Sequence, residues 1–135
     1  MVAALCDWHL HYSRAAGEIE RRLRRGEEMV VAAPTLVEAY SVLTRFPSPH
    51  RLSPMEGLRL LEASFMEGRQ ILALSGDEYG ELLRAAPAQG VAGGGIYDAV
   101  VAMCGLTARV DALLTFNERH FQAFAGQGMA IVVPG

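Results

Sequence analysis

Asp98 is the only formally charged side chain between Arg84 and Arg109, in the stretch AAPAQGVAGGGIYDAVVAMCGLTA, where it opens an otherwise apolar helical pattern. A carboxylate in such surroundings is costly unless it is protonated, caps a helix, meets a cation or binds a metal ion. Glu38 is equally isolated, as the sole charge from Met29 to Thr44, and Asn117 follows the apolar run Ala112 to Phe116 directly. Two carboxylates and an amide oxygen are hard donors of the kind Mg²⁺ takes, commonly one or two carboxylates with several waters retained. Taken singly, each acid has a plainer account: Asp98 favouring the positive end of a helix, Glu38 paired with an arginine.

The elements around these residues are well punctuated. Tyr12, Ala15, Ala16, Ile19 and Leu23 repeat at helical spacing between His11 and Arg25, and Gly26 supplies the stop. Met29 to Ala33 reads as a buried strand, and Pro34 suits the first turn of a helix reaching about Phe46. Ser53 with Glu56, and Ser75 with Glu78, are S-x-x-E capping boxes. The first opens a helix expected to reach Gly68, and the second one ending near Pro87 to Gly90. Ile71 to Ser75, DALLTF and AIVVP are further strands, Ile96 to Ala108 an apolar helix, and ERHFQAF a short one. Alternating helices and short apolar strands predict a parallel α/β sheet covered by helices on both faces. Ligand groups in such sheets collect at the carboxyl ends of strands and the amino ends of following helices. Glu38 and Asn117 fit that place, and Asp98 fits it if the loop from Pro87 to Gly95 returns to the same end.

Composition narrows the class. At 135 residues the chain is one domain's length. No apolar run approaches the roughly 20 residues of a membrane span, and the short apolar start, interrupted by Asp7, does not read as a signal peptide. A soluble cytoplasmic protein is expected. Cys6 and Cys104 lack metal-ligand spacing and read as buried free thiols. All twelve basic residues are arginine, and the net charge of −3 argues against a broad electrostatic grip on nucleic acid. Arg21, Arg22, Arg24 and Arg25 are read as a solvated helix end. His9 and His11, two apart, are read as a surface loop rather than a metal pair.

PTLVEAYSVLTR, GGGIYDAVVA and DALLTFNERHF, in this order and spacing, resemble the PIN-domain ribonucleases of the VapC toxin type over nearly the whole chain. The resemblance implies a three-layer α/β/α PIN-like fold with a short parallel sheet, and a cluster of acidic residues binding Mg²⁺ or Mn²⁺ for RNA cleavage. By motif, Glu38 matches the second acidic position and Asp98 the third. Asn117 stands where many members carry a fourth aspartate. The first position, on a D-T-S or D-T-N motif ending an N-terminal strand, has no counterpart, and Asp7, in a variable polar loop, does not replace it. Residues 1–135 are therefore expected to form a single PIN-like domain, N-terminally truncated relative to the family by about eight to ten residues, an ordinary short strand plus motif. A start assigned to an internal methionine is preferred over loss of the strand.

The resemblance further implies an RNA substrate, a small antitoxin partner and a homodimer. Asp98 and Glu38 are expected to bind the metal, with Asn117 positioning metal or water through a neutral carbonyl oxygen. Thr115 is weighed between hydrogen bonding at the site and a plain strand role, and Arg45 and Arg119 between RNA phosphates and surface pairing. The alternative is a catalytically impaired PIN-like remnant acting as an antitoxin- or protein-binding module. A nucleotide-binding or DNA-processing member of the same architecture is a third reading.

Overall fold

The computed structural model describes residues 1–135, which form two compact units: Met1–Ile71 with Gly135, and Leu72–Pro134. In the first unit a 3₁₀ turn, Val2–Ala4, precedes α1 (Tyr12–Arg24), β1 (Val30–Ala32), α2 (Ala33–Arg45) and α3 (Pro54–Leu61). A π-helical turn, Glu62–Met66, continues α3, and β2 (Gln70–Leu72), whose last residue opens the second unit, pairs with β1.

Strand β1 runs into α2 with no intervening loop, and Pro34 occupies the helix's first turn, where a missing N–H breaks no helical bond. Leu36, Ala39 and Leu43 repeat at helical spacing and point inward, Leu43 with no exposed surface. They pack with Cys6, Val31, Leu61 and Phe65. Both halves of the α3 capping box form: the Glu56 N–H donates to Ser53 Oγ (3.3 Å) and the Ser53 N–H to Glu56 Oε2 (2.7 Å). The helix does not run unbroken to Gly68. Its last turn widens, with the Glu67 N–H reaching the Glu62 carbonyl at 2.9 Å, and Gly68 (φ +66°) ends it.

The arginine run of α1 is more than a solvated end. Glu18 is buried (5% exposed), and both Arg21 and Arg22 pair with it, the Arg22 Nε–H donating at 2.7 Å. A carboxylate held that deeply requires such partners. Arg22 also reaches Glu27 at 2.7 Å, past the helix stop.

The second unit holds α4 (Gly76–Ala85), α5 (Gly95–Thr107), β3 (Ala112–Leu114), α6 (Glu118–Phe121) with a following 3₁₀ turn, and β4 (Ala130–Val132). The Ser75–Glu78 capping box opens α4 as the sequence predicts. Strands β3 and β4 are parallel, with Ala112 opposite Ala130 and Leu114 opposite Val132. The Thr115 N–H donates to the Val132 carbonyl at 3.0 Å and so lengthens the ladder. Ala102, Phe121 and Met129 form the buried centre beneath it. Gly105 is placed by contact: a Cβ there would lie 2.8 Å from Met129 Sδ and 3.1 Å from Val110 Cγ2.

Helices and strands alternate as the sequence predicts, but the strands hydrogen-bond as two two-stranded sheets, β1–β2 and β3–β4. Each strand has three residues, shorter than the apolar runs that suggest them. β-branched and apolar character marks where a strand can be buried, whereas its ends are set by where pairing stops and helices begin. No helix is long and apolar enough to cross a membrane.

Candidate active-site residues

Glu38 lies in the first unit, in the second turn of α2, and its side chain is exposed, not enclosed. Its isolation along the sequence misleads because the neighbours that make the segment apolar, Leu36 and Ala39, face inward while Val37, Glu38, Tyr40 and Ser41 face outward. The helical period separates what the linear pattern joins. The Glu38 charge is felt by the α-amino group of Met1: burial holds that amine below its ordinary pKa, and the Glu38 carboxylate pulls it back up.

Asp98 and Asn117 lie in the second unit. Asp98 occupies the first turn of α5, where the helix dipole favours a carboxylate, and its side chain is 30% exposed. The cation-capable neighbour is His120, whose Nδ1 lies 2.8 Å from Asp98 Oδ2. Against an ionised carboxylate that nitrogen must carry the proton and donate, which leaves Nε2 of a neutral ring as its lone-pair nitrogen. Of the fates open to this acid, the structure supplies a helix N-terminus together with an imidazole. Sequence reasoning missed His120, although it stands three residues after Asn117, the spacing that puts two side chains on neighbouring points of a helical turn.

Asn117 is the N-cap residue of α6, but its side chain makes no capping bond. Its backbone does the local work: its N–H donates to Thr115 Oγ1 at 3.0 Å, and its carbonyl accepts from the His120 N–H at 2.9 Å. Thr115 therefore spends its hydroxyl on the turn that presents Asn117. This strand-end turn sets Asn117 and His120 one helical turn apart, and the His120 ring ties them to Asp98.

The histidine pair and the two cysteines are structural. His9 Nδ1 accepts from the His11 N–H at 3.1 Å, so that nitrogen is used inside its own turn. Cys6 and Cys104 are buried free thiols. Burial pushes both thiols above their ordinary pKa, with the Asp7 charge adding to the effect at Cys6 and the Glu78 charge at Cys104, where backbone hydrogen bonds oppose it. Neither is a nucleophile at neutral pH.

No three or more His, Cys, Asp or Glu side chains gather in a way that could hold a metal ion. Carboxylate and amide oxygens, such as those of Asp98 and Asn117, are the donor type that a hard divalent cation takes. They do not fit a closed site of the zinc kind.

A mixed α/β architecture with six helices and short strands is consistent with a compact PIN-like α/β fold. No family model matches the chain, and no solved structure does. Ribonuclease VapC40 of Mycobacterium tuberculosis is 36% identical over 126 residues, covering 92% of this chain and 86% of that protein, in both strain CDC 1551 / Oshkosh and strain H37Rv. Ribonuclease VapC27 of strain H37Rv is 35% identical over 106 residues, 78% of this chain and 74% of the relative. The chain belongs to the VapC ribonuclease family.

Proposed function

We propose that the chain is a metal-dependent endoribonuclease, the toxin of a toxin–antitoxin pair, using Mg²⁺ or Mn²⁺. The observation that carries this reading is 36% identity across 92% of the chain to a protein named a ribonuclease. The three motifs that resemble the family's contain Glu38, Asp98 and Asn117. We assign Asp98 and Glu38 as the metal ligands. Asn117 offers its amide oxygen to water or to the ion. When bound, the ion supplies an activated water and neutralises charge developing on the phosphate. The protein's own part is orientation: the α5 N-terminus and His120 fix the Asp98 carboxylate, and the Thr115 turn presents Asn117. A cognate antitoxin and a homodimeric assembly belong to the same proposal, on the family resemblance.

Cleavage of RNA by the purified chain with Mg²⁺ or Mn²⁺, lost with chelator and abolished by Asp98→Ala, is the expected result. Cleavage that survives both would refute the metal assignment. The exposed Glu38 and the lack of any three-residue metal cluster favour a second reading, a non-catalytic module that binds an antitoxin or another protein. It predicts no heat of Mg²⁺ or Mn²⁺ binding in calorimetry and stable capture of the protein partner.

A further inference from the structure

The first unit carries an aromatic cluster that the proposed chemistry does not use. Trp8 stacks on His50, with ring centroids 4.0 Å apart and planes 26° apart, and meets Phe46 edge-on at 5.0 Å. The indole is 43% exposed and His50 is exposed, so the stack is partly open to solvent, with Phe46 edge-on to the indole. Phe46 is the C-cap of α2, and Arg51 Nε donates to its carbonyl at 2.8 Å, leaving the two terminal guanidinium nitrogens of that exposed arginine available. Arg45 is exposed at the last turn of α2. The segments 7–11 and 45–51 thus hold two arginines against one aspartate, with His9, His11 and His50, on a chain whose net charge is −3.

Partly exposed stacked rings on segments that also carry exposed arginines match unpaired nucleobases joined by phosphates: the bases stack, and the backbone meets the positive charge. The same helix links this cluster to the proposed chemistry. Glu38, Ser41 and Arg45 fall on one face of α2 at i, i+3 and i+7, and eight residues of helical rise put Phe46 about 12 Å along the axis from Glu38. We infer that Trp8 and His50 form a stacking platform for a base of single-stranded RNA, with Arg45 and Arg51 on its flanking phosphates. The inference deepens the ribonuclease reading and rests on it.

Trp8 is the only tryptophan in the chain, so its emission reports on this site alone. The full chain carrying Asp98→Asn, to slow cleavage, is titrated with a short single-stranded oligoribonucleotide and with an abasic oligomer of equal length and charge. Quenching by the first and not by the second is expected. His50→Ala, an exposed change that leaves the core intact, should weaken binding of the base-bearing strand, and Trp8→Ala should weaken it about five- to hundred-fold. Equal affinity for both oligomers, or an unchanged Trp8 spectrum at saturation, overturns the platform. If the unmodified chain still cleaves RNA in that case, the ribonuclease reading survives. If it neither binds nor cleaves RNA while a partner protein alters Trp8 emission, both fail and the surface is a protein interface.

Discussion

Replacing His120 with alanine separates a stability role from a positioning role. The His120 Nδ1 to Asp98 Oδ2 distance is 2.8 Å, and the two side chains are 60% and 30% exposed. At that separation Coulomb's law with the dielectric of bulk water gives about 1.5 kcal/mol for a fully charged pair. Salt screening and the entropy of holding an exposed ring reduce the coupling to about 0.2–1 kcal/mol. A double-mutant cycle of His120→Ala and Asp98→Ala, followed by urea denaturation, should return a coupling in that range. The effect on Mn²⁺ affinity should be larger, because a group that orients a ligand typically changes metal affinity by about 10- to 100-fold when removed, equal to about 1.4–2.7 kcal/mol. The cycle and a calorimetric titration of His120→Ala therefore move by different amounts. Coupling well above about 2 kcal/mol would show that the pair is held in a drier setting than its exposure implies. Unchanged Mn²⁺ affinity would refute the positioning role outright.

Two further outcomes test the frame that carries the site. Gly105→Ala places a methyl 2.8 Å from Met129 Sδ, a side chain only 2% exposed, so overpacking should outweigh the better helix propensity of alanine and lower stability by about 1–2 kcal/mol in urea denaturation. A gain in stability would show that Met129 yields freely. The second outcome concerns the α3 capping box: hydrogen bonds from the backbone and then the side chain of Ser53 hold the Glu56 carboxyl below its ordinary pKa of 4.5. Its folded value is depressed, so its contribution to stability is fully present above about pH 4.5 and disappears as pH falls through the lower folded value. Stability measured against pH for the unmodified chain and Glu56→Gln should show a constant gap at neutral pH that narrows on acidification. A gap that widens would contradict the sign.

Features governed by local chemistry were legible in the sequence. Both capping boxes form with the predicted partners, because each needs only four consecutive residues and a backbone entering a helix. The Pro34 start of α2 and the Gly26 stop after α1 follow from the same local rules. What depends on pairing was not legible. A hydrophobic run states that a segment can be buried, but the length of β2 depends on how far β1 lies alongside it: β1 takes three of the five residues of MVVAA, and β2 takes Ile71 and Leu72 from ILALS together with the polar Gln70 before it.

The acids show where the reading of isolation succeeds and where it fails. Asp98 is alone over many residues in both directions, so no local partner exists, and its observed partner comes from twenty-two positions away. For such a residue, isolation in sequence is a sound argument for a long-range contact. Glu38 is alone over a shorter window whose apolar residues divide between two faces of α2, so the same argument wrongly implied enclosure. Helical phase distinguishes the two cases: at Asp98 the positions that follow, Ala99, Val100 and Ala102, are all buried, whereas Glu38 is flanked on its own face by exposed Val37 and Ser41. Glu38 is exposed on a face of α2 that also carries exposed Ser41 and Arg45, so it is not enclosed on its own helix. Under the proposed metal assignment, such exposure suits an ion bound jointly by protein and phosphate. Metal affinity measured without RNA should accordingly be weak, and it should rise when a phosphodiester is present.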